Sequence, residues 1–481
     1  MANSVTAERM LIGGEWVAGP ESLEVRNPFD GGLVGTIASG TTQNATAAVT
    51  AAVAALRQPL PAHQRYQVLQ RTADRIEARQ DEYAWTIASE GSKTIREARS
   101  EPPRAATILR LAAEAGRQLS GETLPFDSRQ GSENRVGYYS RLPVGVIAAI
   151  TPFNDPLAMV AHKIGPALAA GNAVVLKPAS STPLSALMVA RDLAESGLPP
   201  GRLNVVTGSG QAVGETLVMD RRVRLVSFTG GVATGERITR VAGIKKLSLE
   251  LGSNSPVIVM PDARLDRAVA AIASGAFAQA GQNCLGVQRV LIHERVYEQF
   301  VARFVPLVAA LRAGRSTDER TDVCAMIDEA QASRVEGWIG EALSHGAHLL
   351  TGGHRTGALL TPAVVVDIPD GVHLACDEAY GPVVGLYRVA SLDEAIARAN
   401  AVDYGLHAAI FTENLHQAFA AAARLEVGAV IVNDSTDYRL DLMPFGGTKL
   451  SGLGREGIKF ALHEMTEPRV VCFNLDEAPA P

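Results

Sequence analysis

The stretch GQNCLGVQR (281–289) sets one thiol, Cys284, behind Gly-Gln-Asn and ahead of Leu-Gly. KKLSLELGSNSP (245–256) alternates in the manner of a strand and carries Glu250 between Leu249 and Leu251, just before Gly252. In TPFNDP (151–156), Asp155-Pro156 read as N-cap and first residue of a helix, with Asn154 just outside the cap. Brought together, these three groups could do acyl chemistry. A thiolate attacks a carbonyl, an amide N–H₂ donates to the oxyanion that forms, and a carboxylate raised in pKa by desolvation serves as general base. Taken singly, each has a plainer reading. Cys284 could be a buried small hydrophobe or a metal ligand, Glu250 a solvated edge-strand residue, and Asn154 an ordinary turn asparagine.

A tetrahedral adduct on sulfur collapses only with a leaving group or a hydride acceptor beside it. The chain offers places for a nucleotide. VTGSGQAVG (206–214) carries G-x-G-x-x-x-G through Gly210 and Gly214, and SFTGGVATG (227–235) follows a strand pattern and opens a helix. Phosphates sit at such helix N-termini, although either turn could equally be a tight strand-to-helix connection. Lys177 ends the NAVVLKP run, where its ammonium could reach a ribose or phosphate or simply be solvated.

These groups need elements to position them. LIGGEWVAG (11–19) predicts a hairpin turning at Gly13-Gly14, and residues 43 to 118 predict several amphipathic helices. From Val144 short apolar runs alternate with helical segments: VGVIAAI, NAVVLKP, RLNVVTG, VRLVSF and KKLSLEL. That alternation predicts a parallel, doubly wound sheet, and a second α/β series runs from VIVM (257–260) to about Asn433. EPRVVCFN (467–474) predicts a late strand that needs a sheet to join, one on another subunit included.

With 481 residues the chain exceeds a single core, and two or three domains are expected. Its formal net charge of −6 with no Lys/Arg block argues against a nucleic-acid partner. The four cysteines lie tens of residues apart without a CxxC pair, which predicts neither zinc nor a disulfide framework. MANSVTAERM lacks the apolar stretch of a signal peptide, and no apolar run approaches the roughly 18 residues of a membrane helix. The expectation is a reduced, cytoplasmic protein that neither spans nor binds a membrane.

Taken together, TPFN (151–154), LKPAS (176–180), FTGGVATG (228–235), LELGSNSP (249–256), GQNC (281–284), DEAYGPV (377–383) and MPFGGTKLSGLGREG (443–457) resemble the non-acylating aldehyde dehydrogenases over essentially the whole chain. The FGGTKLSGLGREG and EMTEPRVVCFN endings are most similar to the lactaldehyde, non-phosphorylating glyceraldehyde-3-phosphate and phosphonate-aldehyde group. The resemblance implies an α/β fold of two doubly wound Rossmann-type domains and a small β oligomerisation arm. Residues 1–118 and 141–250 would bind NAD or NADP, 251–455 would be catalytic, and 119–140 with 456–481 would form the arm of a homodimer or homotetramer. Cys284 would form a thiohemiacetal, Asn154 and the Cys284 N–H would hold its oxyanion, and Glu250 would activate water to hydrolyse the thioester. Lys163 and Glu456 match positions close to that base. The cofactor positions implied are Thr151, Pro152, Phe153, Lys177, Ser180, Gly210, Gly214, Phe228, Thr229, Gly230, Gly231, Leu251, Gly252, Glu378 and Tyr380. No metal site is implied.

Some positions depart from the family. Gly231 stands where many members have a serine, and Ser253 where the second glycine of Glu-Leu-Gly-Gly is usual. Ser180 replaces the glutamate that repels a 2′-phosphate in strictly NAD-dependent members, so NADP becomes admissible. Arg104 and Arg439 fall near positions that grip anionic aldehydes, but Asn283 precedes the nucleophile where such members often have arginine, and Asp155 follows Asn154 where phosphonate-aldehyde enzymes tend to have histidine. A small polar or singly anionic aldehyde is the expected substrate, unless the two arginines are only ion-paired. Three rivals remain. A CoA-acylating enzyme would not need Glu250, a thiol esterase would want a Cys–His pair, and an inactive binding protein would not need all three groups.

Overall fold

The computed structural model describes residues 8–475. Two sheets organise the chain. In space the first runs Glu15–Val17, Met10–Ile12, Leu203–Val205, Ala173–Lys177, Val146–Ile150, Val223–Thr229, Lys246–Glu250, Gly452–Leu453. Its five central strands are parallel, with antiparallel strands at both edges. The second runs His348–Thr351, Ala363–Val366, Val383–Val389, Val287–His293, Ser255–Val259, His407–Phe411, Ala429–Val432, parallel except at the first edge. This is the two-sheet α/β fold expected from the sequence, built because helices cover both faces and each central strand is a nearly continuous apolar run. Val146–Ile150 and Ser255–Val259 are buried almost throughout.

The hairpin forms at Gly13-Gly14, both at positive φ, with Leu11 opposite Trp16. The late strand Thr466–Asn474 does not need another subunit to pair. It lies antiparallel along Arg135–Pro143 of its own chain, from Thr466 opposite Pro143 to Asn474 opposite Arg135. Val136, Tyr138, Val470 and Phe473 stay exposed on this three-stranded arm.

The helix following TPFN departs from its expected start. It spans Ala158–Ala169, so Asp155-Pro156 are not its cap. Its first N–H groups are satisfied from elsewhere: Glu101 Oε1 accepts from Leu157 N and Ala158 N, both at 2.8 Å. A carboxylate there also suits the positive end of the helix dipole. Asp155 is thereby released to Lys93, whose Nζ donates to Asp155 Oδ1 and, at 2.7 Å, to Glu101 Oε2. Lys93 and Glu101 are buried. Removing one partner from a buried ionic group leaves uncompensated charge and costs about 3–5 kcal/mol. Lys93→Met is therefore expected to lower the free energy of unfolding in urea by that order, with a lower midpoint, and an unchanged midpoint would show that the triad adds nothing.

Candidate active site

The strands end where the side chains of interest begin. Ile150 pairs with Lys177, and Thr151 N then donates to Lys177 O at 3.2 Å before the chain turns off the sheet at Pro152. That turn delivers Asn154 to a cavity of about 670 Å³. Glu250 is the last residue of its strand. Thr229 flanks its backbone on one side and Gly452 on the other, and its side chain faces the same cavity. Cys284 arrives from the second sheet, in the turn before Val287–His293. The chain reaches it through a left-handed run, Gln279 (φ 56°), Ala280 (φ 55°) and Gly281 (φ 69°). Gly281 has no alternative there, because a Cβ would lie 2.1 Å from Gly381 O. Two non-glycine residues held left-handed store strain of the kind that collects at functional sites.

The electrostatics of the three groups differ. Glu250 is 2 % exposed, and neither carboxylate oxygen has a hydrogen-bond partner among the described residues. Burial, and then the neighbouring Glu456, push its pKa well above the ordinary carboxylate range, against the pull of Arg439 and Lys163. The Cys284 thiol packs against Leu285, Leu406 and Phe445 and reaches Asn283 Oδ1 at 3.9 Å. Burial pushes this thiol up, with Arg439 opposing. Asn154 is buried and lines the cavity beside Cys284 and Glu250. Behind Glu250, Lys163 Nζ donates to Glu456 Oε1 (2.9 Å) and Ser227 Oγ (3.0 Å), while Arg439 Nη2 donates to Glu456 Oε2 (3.1 Å). Against its burial, Lys163 and then Arg439 hold Glu456 far below the ordinary range.

Most of the expected residues converge here. Arg104, Asn283, Arg439, Pro152, Phe153, Phe228, Thr229, Gly230, Gly231, Leu251, Gly252, Glu378 and Tyr380 line the cavity with the three reactive groups. Glu378 Oε1 accepts from Ser253 N at 2.8 Å, and a Cβ on Gly252 would lie 2.2 Å from its other oxygen. Burial raises Glu378 to about 7. Tyr380, at φ 44°, meets Phe153 edge to face with ring centres 5.9 Å apart. Lys177, Gly210 and Gly214 line a second cavity of about 480 Å³, and Phe228 and Thr234 line both. Gly231 caps the helix Val232–Val241 with open space at its Cα, so a serine would fit there. Thr151 and Ser180 line neither cavity; Ser180 Oγ is turned to Gly208 O at 2.9 Å.

Sequence reasoning missed Met159, Gln279, Gln331, Arg334 and Asp437, which also line the main cavity. No motif marks them. Met159 was findable one turn beyond Asn154, but Gln331 and Arg334 belong to a distant helix whose placement no local pattern gives. Among the described residues no three His, Cys, Asp or Glu side chains converge as a metal site would, and no helix is long and apolar enough to cross a membrane.

Two doubly wound sheets meeting at a cleft that holds a thiol, a desolvated carboxylate and an amide define an α/β enzyme of the nucleotide-binding class. The chain belongs to the aldehyde dehydrogenase family, whose sequence model matches residues 16–471. It is 44 % identical over 466 residues to a 3-sulfolactaldehyde dehydrogenase of Priestia aryabhattai, covering 97 % of this chain and 98 % of that one. It is 46 % identical over 455 residues to aspartate-semialdehyde dehydrogenase 1 of Pseudomonas canavaninivorans, covering 94 % and 97 %. Among solved structures, an NADP-dependent glyceraldehyde-3-phosphate dehydrogenase from Bacillus halodurans C-125, complexed with NADP, superposes with a TM-score of 0.95 at 38 % identity, covering 98 % and 99 %. The protein is an NAD(P)-dependent aldehyde dehydrogenase acting on small aldehydes.

The second cavity fits the nucleotide for a physical reason. Lys177 is buried and, among the described residues, donates only to Pro178 O (3.0 Å) and has no carboxylate partner; burial lowers it to about 8. An anion placed beside it restores its proton. Sign follows: nucleotide affinity is full below pH 8 and falls as pH rises through that value. Titration calorimetry is expected to give a Kd for NADP roughly tenfold weaker at pH 9 than at pH 7, and Lys177→Met should flatten that dependence.

Proposed function

We propose that the protein oxidises a small polar or singly anionic aldehyde to its carboxylic acid through covalent catalysis on Cys284. The observation that carries this is Glu250, a buried carboxylate with no hydrogen-bond partner, lining one cavity with the Cys284 thiol and the Asn154 amide. The Cys284 thiol gives its proton to solvent water and its sulfur attacks the aldehyde carbon, giving a thiohemiacetal. Asn154 and the Cys284 backbone N–H donate to the oxyanion. The chemistry that bound NAD or NADP supplies is acceptance of a hydride. Glu250 then takes a proton from the water that attacks the resulting thioester, a task suited to its raised pKa. Hydrolysis releases the acid and returns the thiol.

The remaining site residues serve these steps. Lys163, Glu456 and Arg439 form a hydrogen-bonded chain that fixes the surroundings of Glu250. Lys177, Gly210 and Gly214 would hold the adenosine end of the nucleotide and Glu378 its nicotinamide ribose, with Phe153 and Tyr380 lining the cavity at that end. Pro152, Thr229, Gly230, Gly231, Leu251 and Gly252 shape the passage between the two ends, and Thr151 supports it from the strand behind. Two of the three arginines lining the cavity already carry a carboxylate, Arg104 with Asp441 (2.9 Å) and Arg439 with Glu456 (3.1 Å), while Arg334 donates to Gln331 Oε1 and the Ala379 carbonyl; pairing of the two nearest Asn154 and Glu250 favours a substrate of at most one negative charge. The proposed division is a nucleotide domain (1–118 with 141–250), a catalytic domain (251–455) and an arm (119–140 with 456–481); the two sheets support it, except that Gly452–Leu453 pairs into the first sheet. The exposed Val136, Tyr138, Val470 and Phe473 suit that arm to dimer or tetramer assembly.

Rapid mixing with an aldehyde and NADP tests the assignment. Glu250→Gln is expected to release about one equivalent of reduced nucleotide per site and then stall, its steady-state rate down by roughly 10²–10⁴. Cys284→Ser is expected to release none. Undiminished turnover by Cys284→Ser, or acyl-CoA as the product when CoA is added, would overturn it.

A further inference from the structure

Apart from the two cavities already described, one of about 200 Å³ lies against a face of the second sheet. Arg289 and Leu291, two apart on the strand Val287–His293, line it, and Tyr387 joins them from the neighbouring strand, opposite Leu291. Arg398, Asp370 and the exposed free thiol of Cys376 complete its polar wall. The charges on that wall do not balance. Arg289 is 4 % exposed and donates only to carbonyl oxygens: Nε to Asn254 Oδ1 at 2.7 Å, Nη1 to Arg398 O at 2.8 Å, and Nη2 to Ala399 O at 3.1 Å and Asn254 O at 3.2 Å. Among the described residues no carboxylate pairs with it, and burial lowers it to about 10. The Tyr387 hydroxyl is buried with no hydrogen-bond partner, and burial pushes its pKa up to about 12, so it stays a donor. Asp370, the one carboxylate on the wall, is exposed and stands 4.0 Å from Arg398 Nη2.

A buried cation and a buried hydroxyl, both without an anionic acceptor, constrain what can enter. A carboxylate answers the charge of Arg289 and accepts from the Tyr387 hydroxyl and from the second N–H of Arg289 Nη1. An ammonium would meet two guanidinium groups as a like charge, and an apolar group would leave the hydroxyl unpaired. Size narrows the choice further. At about 30 Å³ for each water-sized volume, the cavity takes roughly six non-hydrogen atoms. The rest of its wall is aliphatic or glycine, and Cys376 brings a nucleophilic sulfur to its solvent side. A carboxylate joined to a sulfur through two carbons has this size and this polarity.

We propose that this cavity is a thiolation site, at which Cys376 exchanges with small disulfides whose halves carry a carboxylate. The Cys376 thiol gives its proton to solvent water and Sγ attacks one sulfur of the disulfide. That S–S bond breaks, a bond from Sγ to the attacked sulfur forms, and the other half leaves as a thiolate that takes up a proton. The Cys376 sulfur is oxidised as the departing sulfur is reduced, so the disulfide itself is the oxidant. The site is tied to the nucleotide cleft. Asn254, whose Oδ1 holds Arg289, donates from Nδ2 to Asp377 O at 3.0 Å. Gln288 Nε2 donates to the same carbonyl at 2.6 Å, and its Oε1 accepts from Ala379 N at 2.9 Å. Glu378 lies between these two anchors, and the link to the nucleotide rests on its assignment above to the nicotinamide ribose. A carboxylate that draws Arg289 away from Asn254 loosens Asp377 and, with it, Glu378.

The test uses Cys284→Ser, so that the thiol of the main cleft cannot react, and locates adducts by peptide mass mapping. Its probes are 3,3′-dithiodipropionate, which carries carboxylates, and cystamine, which carries ammonium groups. Each rate at Cys376 is divided by that reagent's rate with free cysteine. Hydrogen bonds to charged groups are strong enough that the anionic reagent is expected to react roughly ten- to a hundredfold faster on this scale. Tyr387→Phe is expected to cut that preference by roughly threefold or more. Arg398→Gln, at a partly exposed position, is expected to do the same should Tyr387→Phe fail to fold. After labelling with dithiodipropionate the Kd for NADP, measured by titration calorimetry, is expected to rise about fivefold and to recover on reduction with dithiothreitol. Equal rates, or a preference for cystamine, would overturn the site. A preference untouched in both variants would overturn the placing of the carboxylate. An unchanged Kd in the labelled protein would overturn the link to Glu378. No binding of NADP or NAD before labelling would overturn the reading of Glu378 itself, and the exchange rates would still decide the cavity.

Discussion

Glu250 is a carboxylate held out of water with neither oxygen hydrogen-bonded, and the arrangement around it exists to keep it so. A bare buried carboxylate is expensive and ordinarily finds a partner or takes up a proton. Three cations stand near, yet none is free, Arg455 being held by the carbonyls of Gly447 and Gly454. Lys163 and Arg439 are both spent on Glu456, the first at 2.9 Å and the second at 3.1 Å. They lower the cost of burying Glu250 through space without bonding to it. The backbone does the rest, since Gly230 N takes the Glu250 carbonyl at 3.0 Å and Leu249 and Glu250 pair with the strand Gly452–Leu453. Gly446 leaves room for the side chain: a Cβ there would lie 3.0 Å from Glu250 Oε1.

That arrangement draws on distant parts of the chain. Lys163 comes from the helix Ala158–Ala169, Arg439 and Glu456 from the C-terminal segment, and Glu250 from the first sheet. The helix in turn starts where it does because Glu101, from an N-terminal helix, satisfies its leading N–H groups. Cys284 is carried by the second sheet. The site is therefore complete only when both sheets and the C-terminal segment are in place, which ties catalytic competence to the folding of the whole chain rather than of either sheet.

Much of this was legible in the sequence, for reasons that are physical. Parallel strands buried on both faces must be apolar runs, so VGVIAAI, NAVVLKP and VRLVSF announce themselves, and Gly13-Gly14 announces its turn. Cys284, Glu250 and Asn154 could be singled out because each sits at a strand end or turn, where side chains face clefts. The start of the Ala158 helix could not be read. Asp155-Pro156 has the local form of a cap, but a carboxylate 56 residues away in sequence takes that role, and local rules have no access to such a partner. The same limit hid Arg334 and Gln331, which reach the cavity only because their helix packs there. It also left open where the last strand pairs, since any edge of matching length would have served.

The arginines show how a residue's type can mislead when its partners are out of sight. Two guanidinium groups in an aldehyde pocket suggest a site for a multiply charged anion. What a pocket attracts, however, is set by uncompensated charge, and here Asp441 and Glu456 sit against Arg104 and Arg439 while Lys93 answers Asp155 and Glu101. The aldehyde end of the cavity is close to neutral and rich in directed hydrogen-bonding groups, a surface that discriminates by pairing donors and acceptors rather than by total charge. Lys177 presents the opposite case at the other end, buried with only the Pro178 carbonyl oxygen as partner among the described residues. A phosphate belongs where a cation is left unanswered, and a neutral polar group where Arg104 and Arg439 already have their carboxylates.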